Sequence, residues 1–250
     1  GIRDILIIST PTDTPRFEEL LGDGSHFGIH LTYTVQPSPD GLAQAFIIGK
    51  EFIGDEPCAM ILGDNIFYGG WFRKNLTEAK KNAEQGLATI FGYFVKDPER
   101  FGIVEFDRKG NVLSVEEKPK NPKSNYCITG LYFYPGGVSE MAEKLKPSGR
   151  GELEITTLNG MYLREKKLKV QILGRGFAWL DTGTMDSLME ASIFIQNVQN
   201  RQDVVISALE EVAYHEGWIS KEQLLESAEI YGKSPYGEHL RRVAEDRFLY

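Results

Sequence analysis

The chain has 250 residues, 41% hydrophobic and 26% charged, with 28 Lys plus Arg against 36 Asp plus Glu for a net charge of −8. That size suits one large α/β domain, or one domain with a small appendage, and the composition is ordinary for a soluble globular protein. The negative balance argues against generic attraction to nucleic acid or an anionic membrane, and no apolar run approaches the roughly 20 residues of a membrane helix. The first predicted element is the apolar strand RDILIIS, followed by a short helix with Asp13 or Thr14 as N-cap, Pro15 in its first turn, Phe17, Leu20 and Leu21 on one face, and Gly22 and Gly24 at its end. HLTYTVQ alternates like a strand, SPDGLAQAFIIGKEFIG turns into a helix, residues 58–62 form a buried strand, and WFRKNLTEAKKNAEQG is an amphipathic helix. Four strands then follow closely, LATIFGYFV, GIVEFD, NVLSVEEKP and YCITGLYFY, with a hairpin turn at 107–111. A helix (GELEITTLNGMYLREKK), a strand (LKVQIL), and then a short strand, a turn and a long helix in GFAWLDTGTMDSLMEASIFIQNVQNRQ complete the α/β pattern, and a polar helical tail runs from about residue 201. The alternation predicts a mostly parallel, mixed sheet flanked by helices.

Several constellations could carry chemistry. Asp64 follows the strand at 58–62 and Asp181 follows the apolar run ending at Leu180, each at the carboxyl edge where open α/β sheets bind ligands. Each alone reads as a strand-end turn or a helix cap. As a pair facing one crevice, they would suit Mg²⁺, which takes one or two carboxylates and leaves its other positions to water and phosphate. Such an ion would also let an acidic protein hold a phosphate. In VEEKPK (115–120), Glu117 and Lys118 read as solvated charges, or as an acceptor for sugar hydroxyls and a point charge for phosphate. Strand neighbours point to opposite faces, so both can serve one site only if the strand bends there. Arg150, between two glycines ahead of a helix, is a second phosphate candidate. In VQPSPDGLAQA, Pro37 and Pro39 stiffen a loop that would offer Gln36 and the Gly41 amide to a flat polar ligand. Cys58 and Cys127 suit buried thiols in a reducing compartment. Phe91, Phe94, Tyr132 and Phe133 read as core packing. The four histidines lack metal-ligand spacing, and neither a dinucleotide fingerprint nor a P-loop is present.

Taken in order, VQPSPDGLAQAF, LGDNIFYG, DPERFGIVEFD, EEKPKNPKSNY, TGLYFY, RGELEIT and WLDTGT resemble the glucose-1-phosphate thymidylyltransferases (dTDP-glucose pyrophosphorylases) of the sugar-nucleotidyltransferase family. The resemblance covers residues 1 to about 200, the α/β nucleotidyltransferase domain, and continues more weakly through a helical segment at 201–250. It implies a single displacement in which glucose 1-phosphate attacks the α-phosphorus of dTTP and pyrophosphate leaves. It implies Mg²⁺ held by Asp64 and Asp181. Gln36, Pro39, Gly41 and Leu42 match the nucleotide side, and Asn65, Gly102, Glu117, Lys118 and Arg150 match the sugar-phosphate side. The resemblance also implies a cytoplasmic homotetramer with a regulatory nucleotide site near subunit contacts, and neither nucleic-acid polymer nor membrane as partner. Phe101 stands where tyrosine is usual.

Two other readings belong beside this one: a non-catalytic sugar-nucleotide-binding module, and a uridylyl or cytidylyl relative, since base choice turns on a few hydrogen bonds. The retained set Asp64, Asp181, Lys118 and Arg150 favours the enzyme over the binder. The family's opening strand and glycine-rich loop, G-G-x-G-T-R-L, with a later lysine, do not occur in these 250 residues; by resemblance about 45 residues, on the scale of a βα unit, would precede Gly1. The absent strand would be central, so an apolar sheet edge is expected to be exposed. The 250 residues alone are therefore expected to release no pyrophosphate from dTTP, glucose 1-phosphate and Mg²⁺; robust release in a coupled pyrophosphate assay would refute this.

Overall fold

The computed structural model describes residues 1–245. In chain order its elements are β1 (Asp4–Ser9), α1 (Thr14–Leu21), β2 (His30–Val35), α2 (Gln44–Ile48), α3 (Lys50–Ile53), β3 (Cys58–Ile61), β4 (Asn65–Tyr68) and α4 (Phe72–Glu84). Then come β5 (Ala88–Phe94), β6 (Gly102–Phe106), β7 (Val112–Glu117), β8 (Tyr126–Tyr134), α5 (Val138–Ala142), α6 (Ile155–Arg164), β9 (Leu168–Leu173) and β10 (Ala178–Asp181). The chain continues with α7 (Met185–Gln202), α8 (Leu209–His215), α9 (Lys221–Ile230) and α10 (Pro235–Ala244). The described residues fall into two compact units, Gly1–Pro37 together with those from Met189 onward, and Ser38–Leu188. Residues 246–250 of the expected helical tail lie outside the described residues.

In the first unit, β1 and β2 pair in parallel from Asp4↔His30 to Ser9↔Val35, with α1 as the crossover. Pro15 sits in the first turn of α1 and Gly22 ends it, but its expected apolar face is largely open: Leu20 is 75% exposed. The tail helices enclose their own small core of Ala213, Ile219, Leu224, Ala228, Leu240 and Val243, with Trp218 and Tyr236 packed at its margin. A capping box of Ser220 and Gln223 starts α9, and Ser234 caps α10. Gly28 has positive φ and lies so close to Trp218 that a Cβ would meet its carbonyl oxygen at 2.4 Å, so only glycine fits.

The second unit is built on a six-stranded mixed sheet in the order β7-β6-β8-β5-β9, with β3 also bonded to β8. Strands β3, β5, β6 and β9 all run one way, and β8 runs between them in the opposite sense. The α/β class expected from the sequence holds, while most hydrogen-bonded neighbours are antiparallel because β8 is inserted among strands of common direction. β8 is covered on both faces, which is why YCITGLYFY reads as an unbroken apolar run. Its Tyr132 and Tyr134 join Ile90, Val104, Leu158 and Tyr162 on the face packed by α2, α5 and α6. Leu131 and Phe133 join Phe91, Leu173 and the α4 alanines Ala79 and Ala83 on the other. Cys127 is buried and Cys58 partly so, both free, and burial pushes each thiol up to about 12. That chemistry is inert, as the sequence suggested.

Three local expectations are corrected and one strand is added. The predicted helix over the 44–53 region is two short ones, because the chain breaks at Gly49. The helix expected from Gly151 begins only at Ile155; the residues before it are irregular, with Gly151 at φ +80 and Glu154 extended at the helix start. Asn65–Tyr68, to which the sequence assigned no element, is a strand, supported by antiparallel pairing to β10 rather than by its own sequence. Phe94 is 58% exposed at the end of β5, whereas Phe91, Tyr132 and Phe133 are core. Among the described residues β3 is bonded on one side only, to β8, and its last residue Ile61 is 61% exposed.

Phe91 is fully enclosed between β8 and α4. Phe91→Ala is expected to destabilise this unit by about 3–5 kcal/mol. Urea denaturation checks this, and a loss within about 0.5 kcal/mol, the range of surface substitutions, would contradict the packing.

Candidate active site

The site begins where one edge of β8 changes partner. Its C-terminal half is bonded to β3, from Cys58↔Tyr134 to Ile61↔Leu131. Its N-terminal end is bonded to β6 at Ile103↔Cys127. Between them, Ile128–Gly130 lie beside the gap separating the end of β3 from the start of β6. The freed backbone groups are met by the segment just past β3: Leu62 N–H donates to the Gly130 carbonyl at 2.8 Å, and Gly130 N–H donates to Asn65 Oδ1 at 2.9 Å. A crevice of about 270 Å³ opens here, bordered by Leu62, Asn65, Gly102, Ile128, Gly130 and Tyr132. Burial holds the Tyr132 phenol above its ordinary pKa, so it stays neutral.

One wall is charged and comes from the end of β7 and the approach to α6. Glu117, Lys118, Arg150, Glu152, Glu154 and Thr156 all border the crevice. The strand-alternation conflict is resolved by the backbone. Lys118 adopts φ +41, a left-handed conformation that non-glycine residues seldom take, and its N–H donates to Phe101 O at 3.0 Å. This bend brings Glu117 and Lys118 to one cavity, while Glu116 is drawn off to Lys123 at 2.6 Å. Glu117 accepts a hydrogen bond from Thr156 Oγ1 at 2.5 Å. Gly102, paired with Glu117 across the ladder, keeps this corner open: a Cβ there would meet Thr156 Oγ1 at 2.9 Å and Glu117 Oε2 at 3.1 Å.

Arg150 is held by carboxylates. Its Nη2 donates to Glu154 Oε1 at 2.9 Å and to Glu152 Oε2 at 3.1 Å, and stands 3.6 Å from Glu117 Oε1. Glu154 is nearly buried and also receives the Ser148 hydroxyl at 2.8 Å. This acidic frame fixes the guanidinium of an arginine whose side chain is still 41% exposed, which is what an anion-binding arginine requires: a set direction and an open side.

The second wall carries Asp64 and Asp181. In the β4–β10 ladder Asp181 lies opposite Asn65, and Thr182 donates to the Asp64 carbonyl from both its N–H and its hydroxyl, each at 2.9 Å. A Cβ on Gly183 would stand 3.0 Å from Asp181 Oδ1 and 3.8 Å from Asp64 Oδ2. The two carboxylates thus border one small volume that glycine leaves free. The cap of α7 belongs to Thr184, whose hydroxyl accepts from Ser187 N–H at 3.2 Å, so Asp181 is released from the capping role its position suggested. Among the described residues no group of three or more His, Cys, Asp and Glu could hold a metal ion. Two converging carboxylates are nevertheless the hard-oxygen donors that Mg²⁺ takes when phosphate and water complete its shell.

Of the residues singled out from sequence, Leu42, Asn65, Gly102, Glu117, Lys118, Arg150 and Asp181 border the crevice, and Asp64 adjoins it through Asn65 and Thr182. Gly41 has φ +106, and a Cβ there would meet Leu153 N and O at 2.5 Å, so glycine is needed for the loop to dock on the Leu153 backbone between Glu152 and Glu154. Pro39 is exposed in that loop. Gln36 belongs to the first unit, at the end of β2, with its N–H on Ser9 O at 2.8 Å. Sequence reasoning missed Arg100, Glu154, Thr156 and Trp179, which also border the crevice. Trp179 was within reach, because it lies two positions from Asp181 on one strand and so shares its face.

Residues 1–198 match the family model described as nucleotidyl transferase. The chain is 59% identical over 240 residues to the glucose-1-phosphate thymidylyltransferase of Neisseria gonorrhoeae, covering 96% of this chain and 83% of that protein. It is 49% identical over 245 residues to the protein of that name from Mycobacterium tuberculosis, covering 98% and 84%. A solved Bacillus anthracis structure, described as a candidate glucose-1-phosphate thymidylyltransferase in complex with sucrose, superposes with a TM-score of 0.69 at 37% identity over 76% of this chain and 75% of that one. A UDP-glucose pyrophosphorylase complexed with UDP-glucose shares the fold, with a TM-score of 0.61 at 19% identity over 78% and 81%. The chain belongs to the nucleotidyl transferase family, among its glucose-1-phosphate thymidylyltransferases.

Proposed function

We propose that this crevice joins dTTP to glucose 1-phosphate, giving dTDP-glucose and pyrophosphate. The observation that carries the reading is the meeting, in one crevice of one unit, of two directed cations, Lys118 and Arg150, with Asp181, whose carboxylate shares a small volume with that of the adjoining Asp64. Two polyanions must be brought together, so positioning and charge neutralisation are the main tasks. Lys118 and the framed Arg150 take the sugar phosphate. Glu117, oriented by Thr156, accepts from glucose hydroxyls, with Gly102 leaving them room and Asn65 bordering the same space. Asp64 and Asp181 would hold Mg²⁺, which when bound supplies positive charge against the reacting phosphates.

The nucleotide side, Gln36, Pro39, Gly41 and Leu42, rests on the sequence motif, with the bordering position of Leu42 as added support. The resemblance extends the proposal to a cytoplasmic homo-oligomer.

Calorimetric titration tests both halves. Lys118→Ala and Arg150→Ala are each expected to weaken glucose 1-phosphate binding about tenfold or more, as for loss of a hydrogen bond to a charged group worth roughly 1.5–3 kcal/mol. Gly102→Ala is expected to weaken it too, by closing the corner between Thr156 and Glu117. Unchanged affinity in all three would remove the sugar phosphate from this wall. Titration with dTTP and UTP addresses base choice: dTTP is expected to bind more tightly, and clearly tighter UTP would assign the chain to the uridylyl relatives.

A further inference from the structure

The two carboxylates are held in different ways. Asp181 Oδ1 accepts the nearby Gly183 N–H at 3.0 Å, a local turn bond. Asp64 Oδ1 instead accepts from the side chain of its neighbour, Asn65 Nδ2, at 2.8 Å. That amide has no freedom to reverse. Its Oδ1 accepts Trp179 Nε1–H at 2.7 Å and Gly130 N–H at 2.9 Å. An indole N–H and a backbone N–H can only donate, so a flipped amide would set its NH₂ against two N–H groups and lose both bonds. The NH₂ is therefore committed to Asp64.

The committed bond uses one particular carboxylate oxygen. The other, Asp64 Oδ2, is the one beside Gly183, in the space bordered also by Asp181 Oδ1. We infer that Asn65 is a positioning residue: with Trp179 and Gly130 fixing its carbonyl, its amide pins Asp64 Oδ1 and presents Oδ2 to a divalent cation shared with Asp181. The inference rests on the cation reading proposed above and assigns Asn65 a task beyond bordering the sugar space. It also couples the two walls, because Trp179 lines the crevice and packs edge-on to Phe101 and Tyr93. Partners that orient a metal-bound carboxylate typically contribute 10–100-fold to affinity.

The test is Mn²⁺ binding to the full 250-residue chain, followed by electron paramagnetic resonance of the free ion, with a thermal melt as a folding control. Asp64→Asn reports on the cation reading itself and is expected to give the largest loss. Asn65→Leu keeps the size and removes the amide; it is expected to weaken Mn²⁺ roughly tenfold or more. Trp179→Phe leaves Asp64 and Asn65 in place and removes one of the two donors that fix the amide, loosening it on the remaining Gly130 bond, with a several-fold loss expected in a cooperatively melting protein. If Asp64→Asn binds Mn²⁺ as the parent does, the cation reading falls and this inference falls with it. If Asp64→Asn is weakened while Asn65→Leu and Trp179→Phe bind normally, the positioning role alone is overturned. Should Asn65→Leu fail to fold, Trp179→Phe decides: a loss supports the inference and unchanged affinity overturns it.

Discussion

A nine-residue strand bonded along one edge to two shorter strands must leave backbone groups unpaired where the partners change, and a buried unpaired group costs about 1–3 kcal/mol. β8 meets this constraint at Gly130, whose carbonyl is taken by Leu62 and whose N–H is taken by Asn65. The repair requires the chain after β3 to turn sharply across β8, which sets Asp64 and Asn65 at the mouth of the gap. Gly130 has to be glycine for the same reason, since a Cβ would lie 2.5 Å from Asn65 Oδ1. The crevice, its first carboxylate and the amide beside it are all products of one interrupted ladder.

Backbone geometry also shapes the opposite wall. β6 and β7 continue their pairing as far as Gly102↔Glu117, and the next residue, Lys118, leaves the strand in a left-handed conformation. Such a conformation is strained for a side-chain-bearing residue. Here it turns a lysine and a glutamate, neighbours in sequence, toward one space. The strain sits beside an acidic frame that orients Arg150, so the wall offers directed cations in a protein whose net charge is negative. Local arrangement, rather than net charge, equips the site for an anion.

Much of the molecule was legible before folding. The apolar runs located β1, β2, β3, β5 and β8, the proline and glycine punctuation bounded α1, and Asp107–Asn111 marked the β6–β7 hairpin, whose turn closes with Asp107 N–H on Asn111 O at 2.9 Å. What failed were elements stabilised by distant partners. NIFY is a strand because β10 lies alongside it, and Leu20 is 75% exposed because, among the described residues, nothing buries that side of α1.

The residue types of the site, two strand-end aspartates, the Glu117–Lys118 neighbours, a glycine-flanked arginine and seven ordered motifs, were determined by the sequence, because each is a local pattern of chemistry and spacing. Folding alone decided that Thr184 and not Asp181 caps α7, that Arg150 is framed by Glu117, Glu152 and Glu154, and that Trp179, far along the chain, locks the amide of Asn65. The Thr184 cap and the Glu152 and Glu154 contacts to Arg150 are local bonds selected among competing local partners, whereas Asn65 and Trp179 are 114 positions apart and meet through the β4–β10 pairing, which no short-range pattern encodes.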